Sequence, residues 1–428
     1  WIGKIPEEWE VSKIKFTTYV KGRIGWQGLR ADEFIDEGPY LVTGTDFIDG
    51  LVNWDSCYHI SMARYNEAPP IQLEENDLLI TKDGTIGKIA IVRNKPKYAI
   101  LNSGIFVTRP LNSAYSTKLM YWILNSQIFN RYIEYMSFGS TIIHLYQQTF
   151  ENFSFPIPNF NEQKAIIDFL DQKTAEIDAL INDKEKLIEL LQEKRQAIIS
   201  EAVTKGLNPN VRMKDSGIAW IGEIPGHWRL SKIKYESLIN NRTLSESTDD
   251  DYEIDYIDIS SVTSIGKIDG IQSLIFKGAP SRARRILSKG DTIVSTVRTY
   301  LKAIAFIENA QSNLICSTGF AVLTPLSKVV PKYLFYIMRS EKYINEIVRR
   351  SVGVSYPAVN ASDIGALECA LPDRDEQMYI VEYLDNCITQ INELVNDIEV
   401  QIQKLKEYRQ SLISEAVTGK IDVGNLRI

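Results

Sequence analysis

Trp1-Ile-Gly-Lys-Ile-Pro-Glu-Glu-Trp9 returns as Trp220-Ile-Gly-Glu-Ile-Pro-Gly-His-Trp228, and Ser12-Lys-Ile-Lys15 returns as Ser231-Lys-Ile-Lys234 at the same offset of 219 residues. Ten of the fifteen positions are identical. A second match closes each copy. Arg195-Gln196 and Ile199-Ser-Glu-Ala-Val-Thr204 recur as Arg409-Gln410 and Ile413-Ser-Glu-Ala-Val-Thr418, offset by 214. A period this long is not that of a solenoid. It describes tandem duplication of a whole domain plus a helix, for which pseudo-twofold internal symmetry is the expectation. Between the matched ends a weaker register aligns Asp77 with Asp291, Lys88 with Lys302, Ser103 with Ser317 and Gly139 with Gly353. Drift after duplication would explain the divergence around these residues; so would two halves that recognise different things.

Residues 161–205 contain no proline or glycine, and Ile166, Leu170, Lys173, Ile177, Leu180, Lys184, Leu187, Leu191, Lys194 and Ile198 fall at alternating steps of four and three. That is a heptad seam, the pattern of a coiled coil. It recurs 214 residues later as Ile380, Leu384, Cys387, Ile391, Leu394, Ile398, Gln401, Leu405, Tyr408 and Leu412. Asn159 to Glu162 and Asp373 to Glu376 fit capping boxes behind Pro158 and Pro372, and Gly206 and Gly419 occupy C-cap positions. A helix of about 45 residues is about 65 Å long. Two such helices packed antiparallel would make a rod that fixes the separation of whatever lies at its ends. The seam lysines read as stems that pass alongside the partner helix, and pairing with another chain stays open.

The expected architecture is therefore α/β (α+β) in two tandem copies separated by two long antiparallel coiled-coil helices. Its boundaries are a first domain over 1–158, a helix over 159–206, a linker loop over 207–219, a second domain over 220–371, and a helix with tail over 372–428. Asp77 to Thr81, Asp291 to Ser295, Ile89 to Val92 and Ala303 to Ile307 read as strands; Thr117 to Tyr135 and Pro331 to Arg349 read as amphipathic helices.

The 428 residues carry 48 Lys and Arg against 55 Asp and Glu, a net charge of −7 that argues against wholesale coating of nucleic acid. Cations are nevertheless clustered. Ser281-Arg-Ala-Arg-Arg285, Arg298-Thr-Tyr-Leu-Lys302 and Arg349-Arg350 set them beside aromatic or small residues, and guanidinium forks suit phosphates and the guanine edge. In the first copy, Lys21-Gly-Arg-Ile-Gly-Trp-Gln-Gly28 and Thr81-Lys-Asp-Gly-Thr-Ile-Gly-Lys88 offer glycine-bent backbone near polar side chains. Solvated surface charge is the alternative meaning of any one of these clusters.

Catalytic signatures are missing. Gly22, Gly25 and Gly28 have the wrong spacing for a dinucleotide fingerprint, and Gly84 to Lys88 is too short for a phosphate-binding loop. The three histidines, His59, His144 and His227, stand singly, without H-E-x-x-H spacing. Pro69-Pro70 lacks the flanking residues with which amino-methyltransferases hold an extruded base. Four separated cysteines suit a reducing cytoplasm, and no apolar run approaches the ~20 residues of a membrane span. The chain reads as non-catalytic, cytoplasmic and free of cofactor or metal.

Taken together, the paired openings, the Gly22 to Gly28 and Asp77 to Gly87 runs, the Glu162-Gln163 and Glu376-Gln377 helix entries and the two Ile-Ser-Glu-Ala-Val-Thr exits resemble the specificity subunit of type I restriction-modification systems over essentially the full chain. The resemblance implies two target recognition domains, each reading one half of a split site in double-stranded DNA, joined by helices that set the spacer. It also implies two modification subunits, which carry the S-adenosylmethionine chemistry and dock on the helices, and restriction subunits recruited to the complex. Two departures stand out. The chain starts at Trp1 without the run Met213 to Ala219 that precedes the second copy, so a short preceding piece is expected. Asp83-Gly-Thr-Ile-Gly87 becomes Thr296-Val-Arg-Thr-Tyr300, so the glycine turn is not expected to carry across.

Candidate DNA contacts are Arg23, Trp26, Gln27, Thr81, Lys82, Lys88, Ser140, Thr141, His144 and Gln147 in the first half. In the second half they are Arg282, Arg284, Arg298, Tyr300, Lys302, Ser355 and Tyr356. A structural adaptor that binds protein alone, or a self-contained DNA-modifying enzyme, are the competing classes. Assembly independent of DNA would mark the first, and methyl transfer by the isolated chain the second.

Overall fold

A computed structural model of the chain describes residues 2–23, 29–137 and 144–423. The chain forms two units of similar size, and the division falls inside both long helices: residues 1–185 with 399–428 make one unit, and residues 186–398 make the other. Each unit thus holds one globular domain, one half of the first long helix, Phe160–Lys205, and one half of the second, Arg374–Val417.

In unit 1 a six-stranded sheet runs in the order Thr18–Gly22, Ile105–Pro110, Leu78–Thr81, Ile89–Ile91, Leu51–Val52, Phe47–Ile48, beside a three-stranded sheet of Tyr58–His59, Ile35–Val42 and Ala99–Leu101. In unit 2 one four-stranded sheet runs Ser237–Ile239, Phe320–Pro325, Thr292–Ser295, Ile304–Phe306, and a second runs Gln272–Ile275, Glu253–Ile257, Leu314–Ser317, Ala283–Ile286. In both units the central strand is buried at every residue, so Leu78–Thr81 and Thr292–Ser295 read as continuous rather than alternating apolar runs. Strand pairing also corrects the register inferred from sequence. Ile80 lies opposite Ile89, whereas Val294 lies opposite Ile304. One residue is therefore added in the second loop, which matches Lys88 to Ala303 and Gly87 to Lys302.

The segment expected as a linker loop contains a strand, Met213–Asp215, that pairs with Glu223–Pro225. Each amphipathic helix is two helices: Thr117–Leu124 and Gln127–Ser137 in unit 1, Pro331–Arg339 and Glu341–Arg350 in unit 2. The break falls at Ser126 and Ser340, both fully buried, whose hydroxyls donate to Ile123 O and Ile337 O. A second serine completes each junction from far away in sequence. Gln127 N donates to Ser414 Oγ and Glu341 N to Ser200 Oγ, both at 2.9 Å. A side chain that satisfies a free N–H at a helix start acts as a cap. Gln410 Nε2 to Asn125 O and Gln196 Nε2 to Arg339 O repeat the pattern. The matched exits of the long helices are thus docking sequences, each seated on the helical junction of its own unit.

The helix ends follow their sequence signals. Asn159 and Glu162 make both bonds of a capping box. At the second start only Glu376 N to Asp373 Oδ1 forms, because the Glu376 carboxylate turns to His227 Nε2 and Trp228 Nε1 instead. Gly206 and Gly419 sit at φ +73° and +69°, and a Cβ on Gly419 would meet Pro6 at 2.5 Å, so this exit packs on the opening motif of unit 1. Within unit 1 the two helices are antiparallel, Asp178 pairing with Arg409 at 2.9 Å and Lys184 with Gln401 at 2.7 Å.

The seam departs from the sequence expectation after Ile177. Ile181 is buried while Leu180 and Leu187 are each almost half exposed, and in the second helix Ile402 is buried while Leu394 and Tyr408 are exposed. The buried residues run Ile166, Leu170, Thr174, Ile177 and Ile181, two steps of four, one of three and one of four. Such four-four-three spacing has a period nearer 3.67 than 3.5.

Candidate nucleic-acid interface

A buried carboxylate stands immediately before each central strand. Asp77 accepts from Glu74 N at 2.7 Å and from Arg109 Nε and Nη2 at 2.6 and 2.9 Å. Burial pushes its carboxyl up, with the Arg109 guanidinium pulling the other way. Asp291 repeats the scheme with Ser288 N at 2.7 Å but takes its guanidinium from Arg242 and adds the Thr324 hydroxyl. The start of the central strand is thereby fixed in the same way in both units.

In unit 1 the loop closes on Thr81. Its buried hydroxyl donates to Thr85 O at 2.5 Å and accepts from Lys88 N at 3.0 Å, while Gly84 and Gly87 take φ +69° and +83°. Leu145 N donates to Lys82 O, which brings the following segment alongside. There His144 Nδ1 meets Asp83 Oδ1, Tyr146 stacks edge-on against His144 at 4.6 Å, and Lys82 Nζ lies 5.2 Å from the Phe106 ring. Lys88 is exposed.

In unit 2 the left-handed positions of the loop are occupied by Arg298 at φ +51° and Lys302 at φ +57°, without glycine. The two left-handed residues are four apart here and three apart in unit 1, and Thr299–Leu301 form a 3-10 turn without counterpart there, so the glycine turn itself does not carry across. A left-handed L-residue costs about 1–2 kcal/mol. The surroundings hold it: Arg298 N donates to Pro357 O at 2.7 Å, Thr299 Oγ1 and Ser351 Oγ share a hydrogen bond, and Val297 and Val352 both bridge to Ala358. The Arg298 guanidinium lies 4.6 Å from the Tyr356 ring. This loop pair gathers Arg298, Tyr300, Lys302, Ser355 and Tyr356, all exposed. Exposed Arg282 accepts from Thr318 N, beside the Gly319 carbonyl that holds Thr296.

Four candidates have internal roles instead. Arg23 is 3% exposed, and its Nε donates to Leu101 O; desolvation lowers its pKa. Thr81 is buried in its own loop. Gln147 is tied to Glu151 and Val20 O, and Arg284 is half-buried over the Phe276 ring at 4.7 Å. Trp26, Gln27, Ser140 and Thr141 lie outside the described residues. Sequence reasoning missed Asp83, Tyr146, Val352 and Val354, the last fully exposed. Only Asp83 carried a signal, its place inside the glycine run; the others depend on which neighbour the fold supplies.

The family model for the type I restriction modification DNA specificity domain matches residues 6–190 and 232–404. The chain belongs to this family. It is a non-catalytic DNA-recognition subunit, and its curated relatives are named specificity subunits. It is 25% identical to the type I restriction enzyme MjaVIII specificity subunit of Methanocaldococcus jannaschii, over 99% of this chain and 95% of that protein. It is 20% identical to the EcoKI specificity subunit of Escherichia coli over 98% and 90% of the two chains. Among solved structures, a chain from work on complex assembly and conformational transition of the type I R-M system aligns at TM-score 0.71 and 16% identity, covering 98% of this chain and all of that one. The HsdS subunit of Thermoanaerobacter tengcongensis aligns at 0.52 and 16%, over 98% of each chain. The specificity-subunit fold is thus shared across the whole length. Among the described residues no cluster of three or more His, Cys, Asp or Glu could hold a metal, and no helix is long and apolar enough to cross a membrane.

Proposed function

We propose that the two recognition domains, over 1–158 and 220–371, each read one half of a bipartite site in double-stranded DNA, and that the long helices set the spacer and dock two modification subunits. One observation carries this reading. Each central strand starts from a buried, guanidinium-paired aspartate, Asp77 or Asp291, yet the loop that follows it turns on Gly84 and Gly87 in one unit and displays Arg298 and Lys302 in the other. A shared frame with exchanged loops suits two different base sequences. Lys82, Lys88 and His144 are the contacts proposed for the first half, and Arg282, Arg298, Tyr300, Lys302, Ser355 and Tyr356 for the second.

Exposed aliphatic residues on the long helices, Leu180 in unit 1 and Leu187, Leu190 and Leu394 in unit 2, support docking of a partner along them. S-adenosylmethionine would reside on that partner, restriction subunits would join the cytoplasmic complex, and the acidic chain alone would bind DNA weakly. The test is long-read mapping of methylated sites in cells expressing the chain with its modification subunit, against cells lacking the chain. A new split motif with a constant spacer is expected, and exchange of residues 16–155 should alter one half of it. Methylation independent of the chain in an assembled complex would sink the reading.

A further inference from the structure

Exposed apolar residues are ordinary on a protein surface when they stand singly. In this chain a group of them repeats. Phe16 and Tyr235 occupy the same place in the two copies and are 69% and 64% exposed. Each ring carries the ammonium of the lysine before it, Lys15 at 5.0 Å and Lys234 at 5.1 Å. Beside each ring the fold sets a leucine. Leu111 N donates to Thr17 O at 2.7 Å and Leu326 N to Glu236 O at 2.8 Å, which seats the two leucines against the residues that follow Phe16 and Tyr235. They are 40% and 39% exposed. On the strands leading in, Val11 and Leu230 are exposed as well. Buried Ile14 and Ile233 anchor the short helical turns, Ile14–Thr17 and Ile233–Glu236, that leave each ring in solvent.

The place of the patch in its sheet decides what covers it. The strand Ile105–Pro110 begins opposite Thr81, at the polar loop, and ends with Pro110 opposite Thr18, one residue before Leu111. In unit 2, Phe320 lies opposite Ser295 and Pro325 opposite Ser237, one residue before Leu326. A strand of six residues spans about 20 Å. Each patch therefore lies at the far end of its sheet from the loop proposed to read DNA. Those loops differ between the units, whereas the patches keep their character. Apolar carbons with a cation at the edge match the core and rim of a protein interface rather than a phosphate backbone.

We infer that each patch, Phe16 with Leu111 and Tyr235 with Leu326, docks one copy of the same partner protein, whose complement is an apolar pocket for the ring with a carboxylate near Lys15 or Lys234. Two matched patches on one chain suit two copies of one subunit. In the reading above that subunit is the modification subunit; the inference rests on that reading and extends its docking from the long helices onto the two globular domains.

The experiment counts modification subunits bound to the full-length chain by native mass spectrometry and measures each affinity by titration calorimetry. F16D should weaken one binding event about tenfold or more, Y235D the other, and the two together both. F16Y and Y235F, which exchange the rings of the two copies, should stay within about twofold of the unaltered chain. K15E should cost about threefold. L111D keeps the test open if F16D misfolds. Full affinity in both F16D and L111D would overturn the assignment. So would loss of one DNA half-site in these variants with two modification subunits still bound, which would make the patch a nucleic-acid contact, or a change in self-association of the chain alone, which would make it a contact between copies. Failure of the unaltered chain to bind modification subunit at all would instead remove the functional reading itself.

Discussion

The loop over 81–88 and the loop over 295–303 leave equivalent central strands but differ in length, backbone and chemistry. The first reaches its two left-handed positions through glycines and is closed by a buried threonine; the second has its own at Arg298 and Lys302 and is held from outside by Ser351, Pro357 and Ala358. Strain of about 1–3 kcal/mol per residue persists only where surrounding structure over-determines it. The comparison teaches that the anchored central strand is common to both domains, while the loop it leads into is the variable part.

The largest effect should come from removing the aspartate that anchors a central strand. Asp77→Ala leaves Arg109 with Glu74 and Gln72 O but removes its two bonds to Asp77 and frees Glu74 N, a loss of about 1.5–3 kcal/mol. Chemical denaturation should show that loss, with recognition of the first half-site failing and of the second persisting. Equal failure of both halves would break the claim that each carboxylate serves its own unit.

Next come the strained positions, where the two loops should respond with opposite signs. Gly84→Ala places a Cβ in a left-handed turn and should destabilise by about 1–2 kcal/mol. Arg298→Gly relieves the same strain, so the thermal midpoint should hold or rise while the second half-site is lost from the methylation map. A fall in stability for Arg298→Gly matching that for Gly84→Ala would mean that the Tyr356 contact, not the backbone, governs the loop. Of similar size, Ser200→Ala and Ser414→Ala each remove a cap from a helical junction, at about 1 kcal/mol apiece.

These junctions also show which parts of the molecule the sequence could disclose. Duplication, the two long helices with their glycine ends, and the central strands are local patterns, and they were legible. The helix breaks were not, because Ser126 and Ser340 look like ordinary helix residues until Ser414 and Ser200 arrive from elsewhere in the chain. The seam drifted because Leu180 and Ile181 are equally apolar neighbours, and only packing decides between them. Arg23 looked like a surface cation in a glycine-rich run, yet the Leu101 carbonyl holds it inside. The proposed contacts were legible as composition, cations and aromatics beside turns; the pairing of Asp83 with His144 was not, since 61 residues separate them.

The smallest effect separates the units by acid sensitivity. Unit 2 holds Glu346 against Arg349 and Arg350, and Glu236 against Arg229, and these partners keep both carboxyls below the usual glutamate range. The positions that match Glu346 and Glu236 in unit 1 are Tyr132 and Thr17, which have no carboxylate to lose. A group whose folded pKa is depressed contributes stability that is present above its unfolded value, near 4.5, and that disappears as pH falls through the folded value. On acidification below that value, hydrogen exchange should therefore quicken in Glu341–Arg350 before it does in Gln127–Ser137. Glu346→Gln should flatten the difference, since glutamine keeps the shape of the acceptor and loses the titration. If both helices open together in the unaltered chain, the ion pairs are spectators and the two units share one acid transition.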